Sequence, residues 1–111
     1  MTRKPPDPPD HLSETSAQFW RDVLDCFDLE SHDVIKLQSA CESFDRWQWA
    51  RETLDKLGPV YLDRFQAPRS RPEVAIERDS RLACLRSIRE LGLDYERVNA
   101  PRLPLPGGQT S

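Results

Sequence analysis

SHDVIKLQSACESFDRWQWARETLDKLGP, residues 31–59, decides the fold: no proline or glycine interrupts it until Gly58 and Pro59 close the run. Proline inside a helix removes a donor and clashes with the preceding turn, so this stretch is free to be one helix. Ser31 is its expected N-cap and Asp33 complements the positive end in the first turn, while Gly58 and Pro59 supply the stop signal. At 1.5 Å per residue the helix spans about 39 Å. On a wheel, Val34, Leu37, Cys41 and Phe44 point one way, whereas Trp47, Ala50, Leu54 and Leu57 are rotated by about a third of a turn. Two different neighbours are therefore needed, one for each half.

The remaining prolines punctuate the chain around this helix. Pro5, Pro6, Pro8 and Pro9 crowd residues 1–10, which carry almost no apolar side chains and read as a disordered arm that cannot repay its ordering entropy. Pro101, Pro104 and Pro106 mark residues 95–111 as a flexible tail, leaving residues 11–94 as the folded helical domain. A first helix should start after Ser13 as N-cap, with Ala17, Trp20, Val23, Leu24 and Phe27 on one apolar face. It is only about 21 Å long, so it folds back antiparallel and covers the N-terminal half of the long helix. The other half needs a third helix or another subunit. Pro59 to Pro68 has strand formers enough for a small hairpin or ordered loop. Pro72 suits N1 of a third helix with Val74, Leu82, Leu85, Ile88 and Leu91 as apolar positions and Gly92 as its end. The expected fold is all-α, an antiparallel helical hairpin with a long second helix, a loop or β-hairpin insertion and a third helix.

Composition narrows the function. With 111 residues there is room for one small domain, and an enclosed active site beside a complete core is improbable in a monomer of that size. No apolar run approaches the roughly 20 residues of a membrane span, and the N-terminus lacks a secretory h-region, so a soluble intracellular protein is expected. The only glycine pair, Gly107 and Gly108, lacks the following Lys-Ser/Thr of a phosphate-binding loop, and no Gly-x-Ser-x-Gly elbow occurs. No catalytic residue, metal or cofactor is expected. Cys26, Cys41 and Cys84 fall one on each helix without metal-ligand spacing to His11 or His32 and read as reduced thiols.

Charge is segregated. From Asp10 to Gly58 acidic residues outnumber basic ones, whereas every basic residue from Arg69 onward is an arginine and that segment is net positive, although the whole chain carries −3. Arg78 and Arg89 project within about 20° of each other on the third helix, Arg71 falls nearly in line, and Arg86 lies about 60° to the side. With Arg64 and Arg69 they could form a basic strip of candidate phosphate contacts, since the planar guanidinium gives two parallel hydrogen bonds, and the segregated charge leaves DNA open as a partner. The alternative is that these arginines pair with the acidic helices, within or between subunits. Arg81 lies on the apolar face among Val74, Leu85 and Ile88, where an interface or a buried ion pair fits better than DNA. Trp49 sits about 200° from Trp47 and joins Ile35 on the outlying side. Ile35, Trp49, Leu54 and Arg81 are the candidate oligomer contacts, with cover by the Tyr61 to Phe65 loop as the other reading of Trp49.

Read in order, the chain resembles the small subunits of tailed-phage terminases. The matching features are Pro-Pro-Asp-His-Leu-Ser (Pro8 to Ser13), Phe-Trp-Arg-Asp-Val-Leu (Phe19 to Leu24) and Cys-Glu-Ser-Phe-Asp-Arg-Trp (Cys41 to Trp47). Leu-Gly-Pro-Val-Tyr (Leu57 to Tyr61), a proline-initiated helix and Ile-Arg-Glu-Leu-Gly-Leu (Ile88 to Leu93) follow. Arg71 and Pro72 stand where that family often has Asn-Pro. The resemblance implies a non-enzymatic homo-oligomer, a ring, in the bacterial host cytoplasm, which recognises the packaging-start site on double-stranded phage DNA. It further implies recruitment and regulation of a large subunit that holds the ATPase and nuclease activities. Two other classes compete: a helix-turn-helix transcription regulator and a structural helical adaptor without nucleic-acid binding. Against the regulator, the would-be recognition helix is long and its first turns carry Asp33 and Glu42 with only Lys36 for phosphate.

Overall fold

The structure, a computed structural model, describes residues 4–93. The tail expected over residues 95–111 lies outside the described residues. Three helices, α1 (Glu14–Cys26), α2 (Ser31–Leu57) and α3 (Pro72–Leu91), surround one core, and strands β1 (Val60–Leu62) and β2 (Pro68–Ser70) form an antiparallel pair between α2 and α3. The fold is therefore predominantly helical rather than strictly all-α, with the hairpin form of the insertion.

The helix ends follow local chemistry. Ser13 caps α1, its Oγ accepting the Ser16 amide at 3.2 Å. Glu30, not Ser31, is the N-cap of α2: its carbonyl accepts the Asp33 and Val34 amides, and Ser31 is already helical. Glu30 is the last extended residue, so the helix begins one position earlier than a Ser31 cap requires, and no side chain caps it. Gly58 ends α2 at φ 81°, a conformation that favours glycine. Pro72 opens α3 without sacrificing a helical hydrogen bond, and Gly92 closes it in the left-handed conformation.

Both neighbours of α2 run antiparallel to it. The start of α1 meets the middle of α2 through the Asp45 carboxylate, which accepts the Ser13 amide at 2.9 Å, the Ser13 hydroxyl at 2.5 Å and the Ser16 hydroxyl at 2.9 Å. Further along, Trp20 and Val23 join Leu37, Cys41 and Leu91 in the buried cluster. Trp20 donates its Nε1–H to the Pro6 carbonyl at 3.0 Å, so the proline-rich lead segment touches the core. Helix α3 accompanies α2 along most of its length: Trp47 Nε1 donates to Glu77 at 3.0 Å, Ser39 and Ser87 hydroxyls meet at 3.2 Å, and Leu91 reaches Leu37. The second half of α2 thus finds its neighbour in α3, with Ala50 fully buried. Small residues Ala40, Cys41, Ser80 and Cys84 at this seam let the backbones approach.

Three expected apolar-face positions are not core: Leu57, the last residue of α2, runs past its neighbours and is 57% exposed. Leu82 and Leu85 are each 48% exposed, because the buried face of α3 centres on Ser80, Cys84 and Leu91. Leu85 borders an open apolar groove of about 260 Å³ between the helices, walled by Phe19, Phe44, Trp47 and Ile88. Among the described residues no helix is long and apolar enough to cross a membrane.

The three cysteines are free, Cys26 exposed and the other two buried. Burial, then the nearby Asp45 charge, pushes the Cys41 thiol up to about 12, and burial raises Cys84 as well. Because the thiolate is the reactive form, a disulfide reagent at pH 8 is expected to titrate one thiol rapidly in the native protein and all three in denaturant. Two fast equivalents would contradict this packing.

Candidate nucleic-acid interface

The candidate arginines come from the hairpin and from the solvent face of α3. Arg71 holds the hairpin base: its amide donates to the Pro59 carbonyl at 2.8 Å and its Nε to the Gly58 carbonyl at 3.0 Å, while its guanidinium lies over Tyr61, 5.7 Å from the ring centre. From there the strands pair Val60 with Ser70, Tyr61 with Arg69 and Leu62 with Pro68.

Asp63 organises the turn. Its Oδ1 accepts the Phe65 amide at 2.8 Å and the Ala67 amide at 3.0 Å, its Oδ2 accepts Arg69 Nε at 2.9 Å, and its backbone carbonyl accepts the Gln66 amide at 2.9 Å. These bonds, led by that from Ala67 and then by Arg69, hold the carboxyl below its ordinary value. A depressed folded-state value contributes order that is fully present above the ordinary value of 3.8 and is lost as pH falls through the lower, folded-state one. The Phe65 and Ala67 amide resonances are therefore expected to hold still on acidification until below pH 3.8 and then move together. A midpoint at or above 3.8 would contradict the Asp63 geometry.

On α3, Arg78 and Arg89 are exposed on one side and Arg86 beside them, about 16 Å separating the first two at the helical rise. Among the described residues Arg78 pairs with its exposed neighbour Asp79 at 3.1 Å, a contact of little energetic weight. Arg86 and Arg89 make no ion pair among the described residues. Arg69 is engaged by Asp63, and Arg64 lies over Phe65 at 4.9 Å from the ring centre. Arg81 follows its separate reading: it bonds Glu77 at 3.3 Å, the carboxylate that also accepts Trp47. The six candidates thus divide into three already engaged, Arg69 by Asp63, Arg71 by the Gly58 carbonyl and Arg78 by Asp79, and three exposed residues, Arg64, Arg86 and Arg89, without an ion pair among the described residues.

The candidate oligomer contacts are not gathered in one place. Ile35 is 70% exposed and Trp49 51%, whereas Leu54 is half-buried against the helices. Trp49 borders a shallow recess with His11, Glu42, Asp45 and Arg46, and Glu42 there accepts Gln38 at 2.9 Å and pairs with His11 at 2.7 Å. The Gln38 bond first, then His11, keeps the Glu42 carboxyl below its usual range. Among the described residues no three His, Cys, Asp or Glu side chains converge to hold a metal.

No protein-family model, curated protein or solved structure matches this chain. Its functional reading rests on its own residues.

Two residues that matter to the site escape sequence reasoning. Asp45 belongs to an acidic run that reads as a solvated face, and its serine partners lie about thirty positions away. Asp63 carried a signal: an aspartate whose side chain bonds amides two and four positions on is a turn former, legible in Asp-Arg-Phe-Gln-Ala.

Proposed function

We propose that the chain is a viral DNA-packaging terminase small subunit, a non-catalytic homo-oligomer, ring-shaped, that recognises the packaging-start site on phage DNA. It recruits and regulates a large ATPase-nuclease subunit in the host cytoplasm. The ordered motifs from Pro8 to Leu93 support the family reading. The observation that carries DNA as the partner is the row Arg78, Arg86 and Arg89, whose charges face solvent on α3 while the net acidity sits on α1 and α2. Repeated around a ring, such a row makes a cationic belt whose weak contacts gain avidity. The helix-turn-helix alternative is disfavoured by α2, whose N-terminal half is packed between α1 and α3 and whose Asp33 is buried.

The test is the mass of the purified protein with and without DNA, together with gel shift over a salt series. A ring-sized mass and a steeply salt-dependent shift of packaging-region duplex are expected. A dimer on a palindromic operator would favour the regulator, and no binding at low salt would leave the adaptor. Each phosphate contact contributes about 0.9 to the slope of log K against log salt, so Arg86→Ala with Arg89→Ala should lower the slope by about 2 for each subunit on the duplex. An unchanged slope would remove α3 from the interface.

A further inference from the structure

The β1–β2 hairpin turns large apolar side chains outward on a stiff support. Every residue of both strands is exposed, and Phe65 at the turn is 74% exposed, the highest value among the exposed large hydrophobics. Asp63 ties that turn down through two amides and Arg69, and Gln66 takes up the left-handed conformation at φ 64°. The tip is thus ordered with a phenyl ring in water. With Val60, Tyr61 and Leu62 also exposed, the hairpin gathers a group of large apolar side chains in water, which marks a contact site, and the surrounding charge says for what. Between Gly58 and Pro72 there are three arginines and one aspartate, a local balance of +2 in a chain of −3. Arg64 lies over one face of Phe65, 4.9 Å from the ring centre, and is itself exposed. Arg69 and Arg71 are held by Asp63 and the Gly58 carbonyl, so a purely apolar partner would leave the Arg64 guanidinium unpaired, whereas stacked bases flanked by phosphates satisfy both features at once.

We propose that Phe65 is a wedge that enters between base pairs of duplex DNA, with Arg64 on a flanking phosphate, so that the hairpin kinks the DNA it grips. This rests on the DNA-binding reading and adds a deformation that α3 arginines alone do not produce. Partial unstacking by an inserted apolar side chain typically bends a duplex by about 20–90°.

The experiment uses the full chain and a 40-bp duplex with a central TA step, labelled with a fluorophore at each end, at low salt. The unsubstituted protein should shorten the end-to-end distance. Phe65→Ala should still shift the duplex, about tenfold more weakly, without shortening it, and Phe65→Leu, which keeps an apolar wedge, should restore most of the bend. Arg64→Ala should lower the salt slope by about 1 and retain a bend. If the unsubstituted protein binds the duplex without bending it, or Phe65→Ala bends it equally, the wedge is overturned while DNA binding stands. If Phe65→Ala leaves DNA behaviour intact but abolishes capture of the large subunit, the hairpin is a protein-docking surface and the wedge is again overturned. If the unsubstituted protein does not bind the duplex at all, both readings fall.

Discussion

Leu37→Ala is expected to lower the melting temperature by about 15–25 °C. Leu37 is fully buried and packs in one cluster with Trp20, Val23, Cys41 and Leu91, so it joins all three helices at the point where α1 and α3 both meet α2. Truncating such a leucine removes transfer free energy and leaves a cavity, together about 2–5 kcal/mol. A domain of this size has about 5–13 kcal/mol in total, and each kcal/mol moves the midpoint by about 4–8 °C. The surrounding side chains cannot collapse into the space without moving a helix, which favours the upper part of the range. Ile35→Ala, two positions away and 70% exposed, should change stability by no more than about 0.5 kcal/mol. Thermal melts at one fixed concentration, required because an oligomer's midpoint depends on it, check the pair. Equal effects of the two substitutions would contradict the packing of α2.

Asp45→Ala comes second, at about 2–3 kcal/mol. The carboxylate is half-buried and accepts three hydrogen bonds from Ser13 and Ser16 at the N-terminal end of α1, where a negative charge is also favoured by the helix dipole. Hydrogen bonds to a charged acceptor are worth more than neutral ones, but the three share one group and do not add. Asp45→Asn, which keeps the shape and loses the charge, should cost about half as much. Ser13→Ala removes both the cap and one arm of the clamp, about 1 kcal/mol. The double variant Ser13→Ala with Asp45→Ala should be less destabilised than the sum of the singles by about 1 kcal/mol. Strict additivity in urea titrations would show that cap and clamp are independent.

These two residues differ in how legible they were. Leu37 is visible from periodicity alone, because burial on a helix repeats every three to four residues. Asp45 is not, because a carboxylate in an acidic run looks the same whether it faces water or a helix start from another part of the chain. Trp49 and Leu85 show the same limit. Trp49 was placed on the outlying side by angle and is exposed, while Leu85 sits at an apolar position and is nevertheless half in solvent, beside a groove that periodicity does not reveal. The arginine row on α3 was readable as spacing. Which of the six candidates are engaged was not, since Asp63, the Gly58 carbonyl and Asp79 hold Arg69, Arg71 and Arg78, while Arg64, Arg86 and Arg89 make no ion pair among the described residues.

By itself the sequence determined three helices and their limits to within a residue, a short hairpin or loop between the second and third, and the length mismatch that forces α1 to cover only part of α2. Those follow from local rules: prolines and glycines restrict the backbone, and capping groups and apolar period act over a few residues. Only the tertiary structure decided that α3 takes up the second half of α2, that Asp45 ties α1 down, and that the hairpin holds Phe65 out in water on a rigid turn. Each of these depends on side chains from distant segments meeting at a particular angle, and helix orientation is set by how ridges of small and large residues interlock, which no local window contains.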